Sequence, residues 1–211
     1  MKNFGMYLKR ALILTLLLLV LCAVLYPLLL TGIGQLLFPK QANGSLIETD
    51  GKAVGSELVG QDFTEDKYFQ GRISSVNYNT YTEEEKEDGT YGGVASGSDN
   101  YGATNPELEK RVKADIEAFK ERYREAVKEE FKGDIPADLL TASGSGLDPH
   151  ISPASAEIQI PIVSANSGLP EAEVRKIVEK HTEHKALGIF GEERVNVLEC
   201  NLEIAEATGE I

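Results

Sequence analysis

Hydrophobic residues form one long uninterrupted run near the N-terminus, where residues 11–30 read ALILTLLLLVLCAVLYPLLL without a charge. In a helix that rises about 1.5 Å per residue, such a run spans a hydrocarbon core about 30 Å thick. The pattern predicts a transmembrane helix over residues 11–31, with Pro27 removing a backbone donor and bending its last turn. A cleaved signal peptide is the main alternative, but the run is too long and no A-x-A cleavage site follows it.

Charges are distributed unevenly around this run. Lys2, Lys9 and Arg10 precede it, and no acidic residue occurs before Glu48. By the positive-inside rule, we expect residues 1–10 in the cytoplasm and the chain beyond the span outside.

Beyond the span, short polar and apolar stretches alternate. Residues 32–44 mix glycine, proline and polar residues, which is typical of a juxtamembrane connector. Residues 45–63, SLIETDGKAVGSELVGQDF, predict short β-strands with Asp50 and Gly51 in a tight hairpin turn. The predicted outer domain therefore covers residues 45–211.

The strongest helical pattern of this domain lies in residues 105–133, where apolar residues recur at spacings of three and four. Asn105 is placed to cap the helix, Pro106 suits its first position, and Gly133 is expected to end it. One face should therefore pack against the core. Its apolar residues are Leu108, Val112, Ile116, Phe119, Tyr123, Val127 and Phe131.

Three further elements are predicted toward the C-terminus. A second helix should follow Pro153, with Pro161 kinking or dividing it. A third should begin at Pro170, and residues 194–205, RVNVLECNLEIA, alternate as a closing strand. Strands, helix, loop, helices and strand in this order predict an α+β domain. The predicted fold class is a single N-terminal transmembrane helix plus an extracytoplasmic α+β domain.

Composition narrows the class of protein. Hydrophobic residues make up 42% of the chain, as in folded proteins. The residues after position 10 include 34 acidic and 18 basic side chains, a net charge of −16. This acidity argues against nucleic-acid binding, which depends on basic surfaces. Because Cys22 lies inside the apolar run and Cys200 far from it, no internal disulfide is expected.

Residues 141–153, TASGSGLDPHISP, place serines beside an aspartate and a histidine. Ser143 or Ser145 with Asp148 and His150 would supply the groups of a serine hydrolase. However, no G-x-S-x-G elbow surrounds either serine, and the spacing does not orient the aspartate toward the histidine. A stiff, turn-rich loop is therefore the favoured interpretation.

The four residues ASGS occur twice, at 95–98 and at 142–145. Eleven residues after its alanine, each copy reaches a proline that opens a predicted helix behind a capping residue. The repeat leaves two interpretations open: either the two loops are structurally equivalent, or the same turn residues recur by chance. The candidate partner-contact or signature residues of the two loops are Ser96, Asn105, Pro106, Ser143, Ser145, Asp148, His150, Ser152 and Pro153.

Tyr68, Phe69 and Arg72 lie together in a loop-rich stretch. Exposed aromatic residues beside arginine often mark contacts with partner proteins, but aromatic residues also pack small cores, and both interpretations stay open. His181 and His184 could share one helix face, yet no third ligand completes a metal site. No nucleotide-binding motif occurs, so no cofactor is assigned to this chain alone.

Several segments of the sequence match one family in order. They are GSLI, GSELVGQDFTEDKYFQGRISS, ASGSDNYGATNPEL, DLLTASGSGLDPHISPASAEIQ and GEERVNVLECNL. With the single N-terminal span, they closely resemble the C subunit of the Kdp potassium-transporting ATPase, nearly end to end. The chain departs from the family's pattern in two places. Arg72-Ile73-Ser74 stands where Arg-Pro-Ser is common, and GSDNYGATNP where GGSNLGPTNP is common.

The resemblance implies an accessory, non-catalytic subunit of a bacterial inner-membrane complex for high-affinity potassium uptake. Its implied partners are a channel-like subunit that receives potassium and a P-type subunit that hydrolyses ATP. The complex would use ATP, magnesium and potassium. The C subunit is needed for assembly and is described as a catalytic chaperone that raises the ATP affinity of the P-type subunit. Since only residues 1–10 are expected in the cytoplasm, we expect coupling through the membrane helix and the outer domain near the ion entrance.

The acidic stretch of the outer domain leaves two interpretations open. Its carboxylates would concentrate potassium near the entrance, within a screening length of about 8 Å, or they would serve only solubility. For the whole chain, the alternative function is a membrane-anchored extracytoplasmic serine hydrolase. The acidic residues concerned are Glu83, Glu84, Glu85, Glu87 and Asp88.

Overall fold

The structure, a computed structural model, describes residues 3–49, 51–90 and 92–211. Two compact units divide the chain, residues 1–46 and residues 47–211. The first contains a helix long and apolar enough to cross a membrane, and the second combines helices with short strands. This confirms the predicted combination of one apolar N-terminal helix and a region of mixed α and β structure.

The apolar helix comprises α1 (Phe4–Val20), a π-helical turn (Leu21–Leu25) and α2 (Tyr26–Leu37). Its 34 residues exceed the roughly 20 that span a hydrocarbon core. The wide turn ends two residues before Pro27, which has no N–H for the carbonyl of Ala23 and whose ring crowds that carbonyl. The distortion therefore lies ahead of the proline, not in the last turn as predicted.

Helix α2 continues through residues 32–37, which the sequence assigned to the connector. Apolar residues still dominate this stretch, and a helix satisfies its own backbone hydrogen bonds in apolar surroundings. A single-turn helix, α3 (Pro39–Ala42), follows. The side-chain amides of Gln35 and Asn43 donate to one another at 3.0 and 3.1 Å, which ties the end of α2 to the residue after α3.

A predicted hairpin follows the first unit's helices. Strands β1 (Leu46–Thr49) and β2 (Lys52–Ser56) pair in a two-stranded sheet. Gly51 adopts the φ of 72° that suits a tight turn. The residues of earlier predictions that lie outside the described residues are Met1, Lys2 and Asp50.

The acidic stretch forms a short helix, α4 (Glu83–Glu87). A capping box begins it, in which the Thr82 hydroxyl accepts from the Glu85 N–H and the Glu85 carboxylate accepts from the Thr82 N–H. Asp88 accepts from the Thr90 N–H at 2.8 Å. The carboxylates of Glu85 and Asp88 therefore accept hydrogen bonds from nearby backbone N–H groups.

Helix α5 (Pro106–Val127) begins as predicted, because the Asn105 side chain accepts a hydrogen bond from the Glu107 N–H at 2.9 Å. Its end was predicted wrongly. Lys128 adopts a left-handed φ of 63° and ends the helix five residues before Gly133. The chain then turns back, so that the ring of Phe131 packs edge-on against Phe119 and Tyr123, each 5.1 Å away between centroids. A continued helix would carry Phe131 away from both rings.

After the short helix α6 (Ala137–Leu140) and strand β3 (His150–Ile151), helix α7 (Pro153–Ser167) runs uninterrupted through Pro161. The predicted division of the helix is therefore wrong. Residues on both sides of the proline, among them Ile160 and Ile162, are fully buried. Their packing outweighs the one backbone hydrogen bond that Pro161 removes.

Helix α8 (Glu171–Lys180), strand β4 (Thr182–Glu183), strand β5 (Arg194–Asn196) and helix α9 (Val197–Thr208) complete the unit. The predicted closing strand is wrong beyond Asn196. Here the Asn196 side chain accepts from the Glu199 N–H at 3.2 Å and caps α9. Buried Val197, Cys200 and Ile204 then follow at helical spacings, so burial on one helix face explains the apolar pattern.

Strand β5 lies between β3 and β4 in an antiparallel three-stranded sheet. Its Val195 pairs with Ile151 of β3 and with Thr182 of β4. These strands and the helices α7, α8 and α9 share one core. Its buried residues are Phe69, Ile151, Ala156, Ile160, Val163, Val174, Ile177, Val178, Val195, Val197, Cys200 and Ile204.

Candidate functional site

Asp148 lies at the centre of a cluster of loops from three parts of the chain, residues 72–79, 95–100 and 141–151. One carboxylate oxygen accepts from Arg72 Nη1 at 3.0 Å, and the other accepts from the backbone N–H of His150 at 3.0 Å. Burial acts to raise the pKa of this carboxyl. The His150 ring and N–H and the Arg72 guanidinium outweigh burial and lower the pKa of Asp148 to about 2. Asp148 is therefore a fixed anion that ties the first and third loops together.

His150 does not form a catalytic pair with a serine. Its Nδ1 lies 3.7 Å from Asp148 Oδ1 and its Nε2 lies 3.6 Å from a Glu183 carboxylate oxygen, both beyond hydrogen-bond distance. Among the described residues, no partner accepts or donates at the buried Nε2. The ring is thus held beside two carboxylates without a hydroxyl to activate.

The two serines of the hydrolase alternative form local turns instead. Ser143, which is 2% exposed, accepts from the Gly146 N–H through its hydroxyl oxygen at 2.8 Å. The Ser145 hydroxyl accepts from the Leu147 N–H at 3.1 Å. In the described part of the chain, neither hydroxyl bonds a histidine nitrogen. The nucleophile and base that a serine hydrolase requires are therefore not brought together.

Gly146 is the tightest point of the cluster. Its φ is 68°, and a Cβ there would lie 2.6 Å from Val76 Cγ2 and 2.8 Å from the Gly97 carbonyl oxygen. Ser74 reaches the same point, because its hydroxyl donates to the Gly146 carbonyl at 2.6 Å. Only glycine fits this crossing of the three loops.

A left-handed turn over Asn77, Tyr78 and Asn79 supports the cluster, with φ values of 49°, 48° and 55°. The Tyr78 hydroxyl donates to the Arg72 carbonyl, and burial, with nearby Asp148, raises the pKa of Tyr78 to about 12. The Asn79 amide bonds both the N–H and the C=O of Ala95. Sequence reasoning missed this turn. The only signal for it was the pair of asparagines, which tolerate the left-handed region.

The two ASGS loops contact each other. The Ser145 carbonyl accepts from the Gly97 N–H at 2.8 Å and from the Ser96 hydroxyl at 3.0 Å. Each loop leads into a proline-initiated helix, as predicted. The Ser152 hydroxyl caps α7 by accepting from the Ser155 N–H at 3.1 Å, and Pro153 is the first residue of that helix.

Structural equivalence of these loops, however, is wrong. Gly146 has a positive φ, but the matching residue Asp99 does not, and in the first loop the left-handed residue is Asn100. Ser143 is buried, whereas the matching Ser96 is exposed. The two loops therefore differ both in environment and in backbone conformation.

Of the three residues in the aromatic stretch, Phe69 is 1% exposed and belongs to the core. Tyr68 is partly buried, and its hydroxyl donates to the Glu210 carboxylate at 3.0 Å. Core packing is therefore the interpretation that the structure supports for Phe69. Arg72 forms a salt bridge with Asp148.

Two buried amides that sequence reasoning missed hold this stretch in place. Asn201 bonds both the N–H and the C=O of Phe69, at 2.8 and 2.9 Å. Gln159 bonds both the N–H and the C=O of Gln70, at 2.9 and 3.2 Å. Each side chain provides hydrogen bonds to a backbone N–H and C=O that have no partner in a neighbouring β-strand.

The histidine pair considered for a metal does not share a helix face. His181 follows the last residue of α8, and its two ring nitrogens lie 3.1 and 2.6 Å from carboxylates of Glu199 and Glu203. His184 lies beyond β4 and contacts Glu193. Within residues 3–49, 51–90 and 92–211, no group of three histidine, cysteine or acidic side chains is arranged to bind a metal ion.

Comparison with known proteins gives a consistent match. The family model described as "KdpC: K+-transporting ATPase, c chain" matches residues 8–206. A protein named "Potassium-transporting ATPase KdpC subunit" from Clostridium kluyveri is 54% identical over 209 residues, covering 99% of this chain and 98% of the relative. The subunit of that name from Clostridioides difficile is 56% identical over 207 residues, covering 96% and 98%. One from Caldanaerobacter subterraneus is 45% identical over 202 residues, covering 96% of each chain.

Proposed function

Because this chain belongs to the KdpC family of potassium-transporting ATPase subunits, we propose that it is an accessory, non-catalytic subunit that assembles with a channel-like subunit and a P-type ATP-hydrolysing subunit. The observation that carries the proposal is the family match over residues 8–206, which includes most of the apolar helix and most of the second unit. The hydroxyls of Ser143 and Ser145 accept local backbone hydrogen bonds, as expected of a structural loop.

The proposed location is the bacterial inner membrane, with the N-terminus in the cytoplasm and residues 47–211 outside. Lys9 and Arg10 on one side of the apolar run and the acidic composition on the other support this orientation. Epitopes placed at each end of the full chain test it. In intact spheroplasts, a protease should remove the C-terminal epitope and leave the N-terminal epitope, and the opposite pattern would reverse the proposal.

We assign ATP, magnesium and potassium to the partner subunits, and propose that this chain raises ATP affinity through its membrane helix and outer unit. A helix that packs differently against two conformations of its partners shifts their equilibrium without touching the nucleotide.

Steady-state kinetics of the purified complex test this coupling. The Michaelis constant for ATP should rise when the chain is omitted. It should return to the normal value with the wild-type chain and equally with a chain in which Lys9 and Arg10 are replaced by glutamine. If this double variant loses the effect while assembling normally, the cytoplasmic segment acts directly and the proposed route is wrong.

A further inference from the structure

Exposed apolar residues of the second unit concentrate at one hairpin tip. The loop between β4 and β5 carries Leu187, Ile189 and Phe190, which are 90%, 75% and 65% exposed. The backbones of Ala186 and Phe190 exchange two hydrogen bonds, at 2.8 and 3.0 Å, so the tip is an ordered turn. We refer to residues 186–190 as the apolar tip.

The stability of this chain does not explain why a leucine occupies position 187. It adopts a left-handed φ of 55°, a conformation in which a bulky side chain is strained and that glycine or asparagine adopts more easily. Its almost complete exposure gives it no burial to compensate for the strain. Contacts within the described residues therefore do not account for a leucine at this position.

Three acidic side chains of the stem below the tip are each paired with a lysine, an arginine or a histidine on the opposite side of the hairpin. Each basic side chain faces an acidic one across the hairpin, although the chain after residue 10 carries a net charge of −16. The tip is thus an apolar projection with little local charge on an acidic protein. The pairs are Lys185–Glu192 at 3.4 Å, His184–Glu193 at 2.8 Å and Arg194–Glu183 at 2.5 Å.

We propose that the apolar tip inserts into an apolar pocket of a partner subunit of the potassium-transporting complex, an inference that rests on the function proposed above. A few residues that fill well-packed, desolvated pockets near the centre of an interface carry most of its binding energy. An anionic lipid surface or a second copy of this acidic chain would repel the unit electrostatically. The uncharged tip suits an apolar protein pocket, because no charge has to be desolvated at its centre.

Photocrosslinking in the assembled complex identifies what covers the tip. The full chain would carry p-benzoylphenylalanine in place of Phe190, and the complex would be purified in mild detergent and irradiated. A covalent adduct with a partner subunit is expected. The matched control carries the same group in place of Val94, which is 82% exposed in another loop, and should give at least tenfold less adduct. Adducts only with lipid, detergent or a second copy of this chain would overturn the proposal.

A Leu187→Gly variant separates the contact from folding. The substitution relieves the left-handed strain and deletes the apolar side chain, so the variant chain should melt at the wild-type temperature or above it. The complex should nevertheless lose its partner subunits at least ten times faster during washing, while Val94→Gly should retain them. If Leu187→Gly and Phe190→Asp both retain the partners, the tip is not an anchor, whereas failure of the wild-type chain to copurify with them would overturn both proposals.

Discussion

The Asn201 side chain satisfies both backbone groups of Phe69, which lies 132 positions earlier in the chain. Its Oδ1 accepts from the Phe69 N–H at 2.8 Å, and its Nδ2 donates to the Phe69 carbonyl at 2.9 Å. Both residues are 1% exposed, so water cannot replace either bond. One side chain of α9 thereby holds the Phe69 segment against the core, next to the stretch that leads to Arg72.

Replacing Asn201 should therefore destabilise the folded chain. Asn201→Ala leaves a buried N–H and a buried C=O unpaired, and we expect the free energy of unfolding to fall by about 2–4 kcal/mol. Asn201→Asp should cost at least as much, because a carboxylate oxygen would face the Phe69 carbonyl. Chemical denaturation of the detergent-solubilised chain measures both. Asn166→Ala, which removes one bond to the Ile162 carbonyl within its own helix, is the control and should cost about 1 kcal/mol or less. A loss equal to that of the control would contradict the structural role of Asn201.

The crossing of the loops at Gly146 predicts a sharp difference between two neighbouring glycines. Gly146→Ala combines a positive φ with a Cβ contact of 2.6 Å, so we expect a loss of about 2 kcal/mol or more in unfolding free energy. Gly144→Ala meets no heavy atom within 4 Å and should be close to neutral. Thermal melts of the two variants under the same conditions provide the comparison. Equal melting temperatures would show that the three loops do not cross as described.

The Arg72–Asp148 pair predicts a dependence of stability on pH. The pKa of Asp148 is about 2 in the folded chain, below its value of about 3.9 in an unfolded one, so unfolding takes up a proton in this range. The interactions of the Asp148 carboxylate with His150 and Arg72 therefore stabilise the fold above about pH 4, and this contribution is lost as the pH falls toward 2. Arg72→Gln should lower the unfolding free energy by about 1 kcal/mol at neutral pH, after allowance for solvent screening.

Unfolding titrations between pH 2 and pH 7 test this prediction. The difference in unfolding free energy between wild type and Arg72→Gln should become smaller as the pH falls. Arg175→Gln removes an arginine whose pair with Glu157 is largely exposed, and this control should change stability little at any pH. A difference between Arg72→Gln and wild type that stays constant across the range would mean that Asp148 is not the group involved.

The hydrolase alternative makes an opposite prediction about the serines. Since the hydroxyls of Ser143 and Ser145 accept local backbone hydrogen bonds, a fluorophosphonate probe should not label the intact chain. Ser145→Ala should leave potassium-stimulated ATPase activity of the complex within about twofold of wild type, because the lost bond is exposed and costs about 1 kcal/mol or less. Labelling that disappears specifically in Ser145→Ala would support the enzyme instead.

Local signals in the sequence predicted a substantial part of this fold. The uncharged run ahead of Pro27, the cap and proline at Asn105 and Pro106, and Gly51 in its hairpin turn each depend on neighbouring residues only. Helix α9 was missed because Val195 and Val197 fit the period of a strand until the Asn196 cap and the later burial of Ile204 are known.

The candidate site depended on contacts that no local pattern specifies. The residues of TASGSGLDPHISP were identified, but their roles follow from partners far away in sequence. Asp148 binds Arg72 across 76 positions, and Ser96 reaches the Ser145 carbonyl across 49. In the sequence, Asn201 and Gln159 resemble ordinary polar positions. Nothing near either residue indicates that its side chain will form two hydrogen bonds with a distant backbone segment.

Copurification of the wild-type chain tests the central claim most directly. A tag on this chain should recover, after mild solubilisation, a channel-like subunit and a P-type ATPase subunit in equal amounts, with ATPase activity that potassium stimulates. Recovery of the folded chain alone, or of partners whose ATPase activity and ATP affinity are unchanged when this chain is left out, would contradict the account of an accessory subunit that acts through assembly.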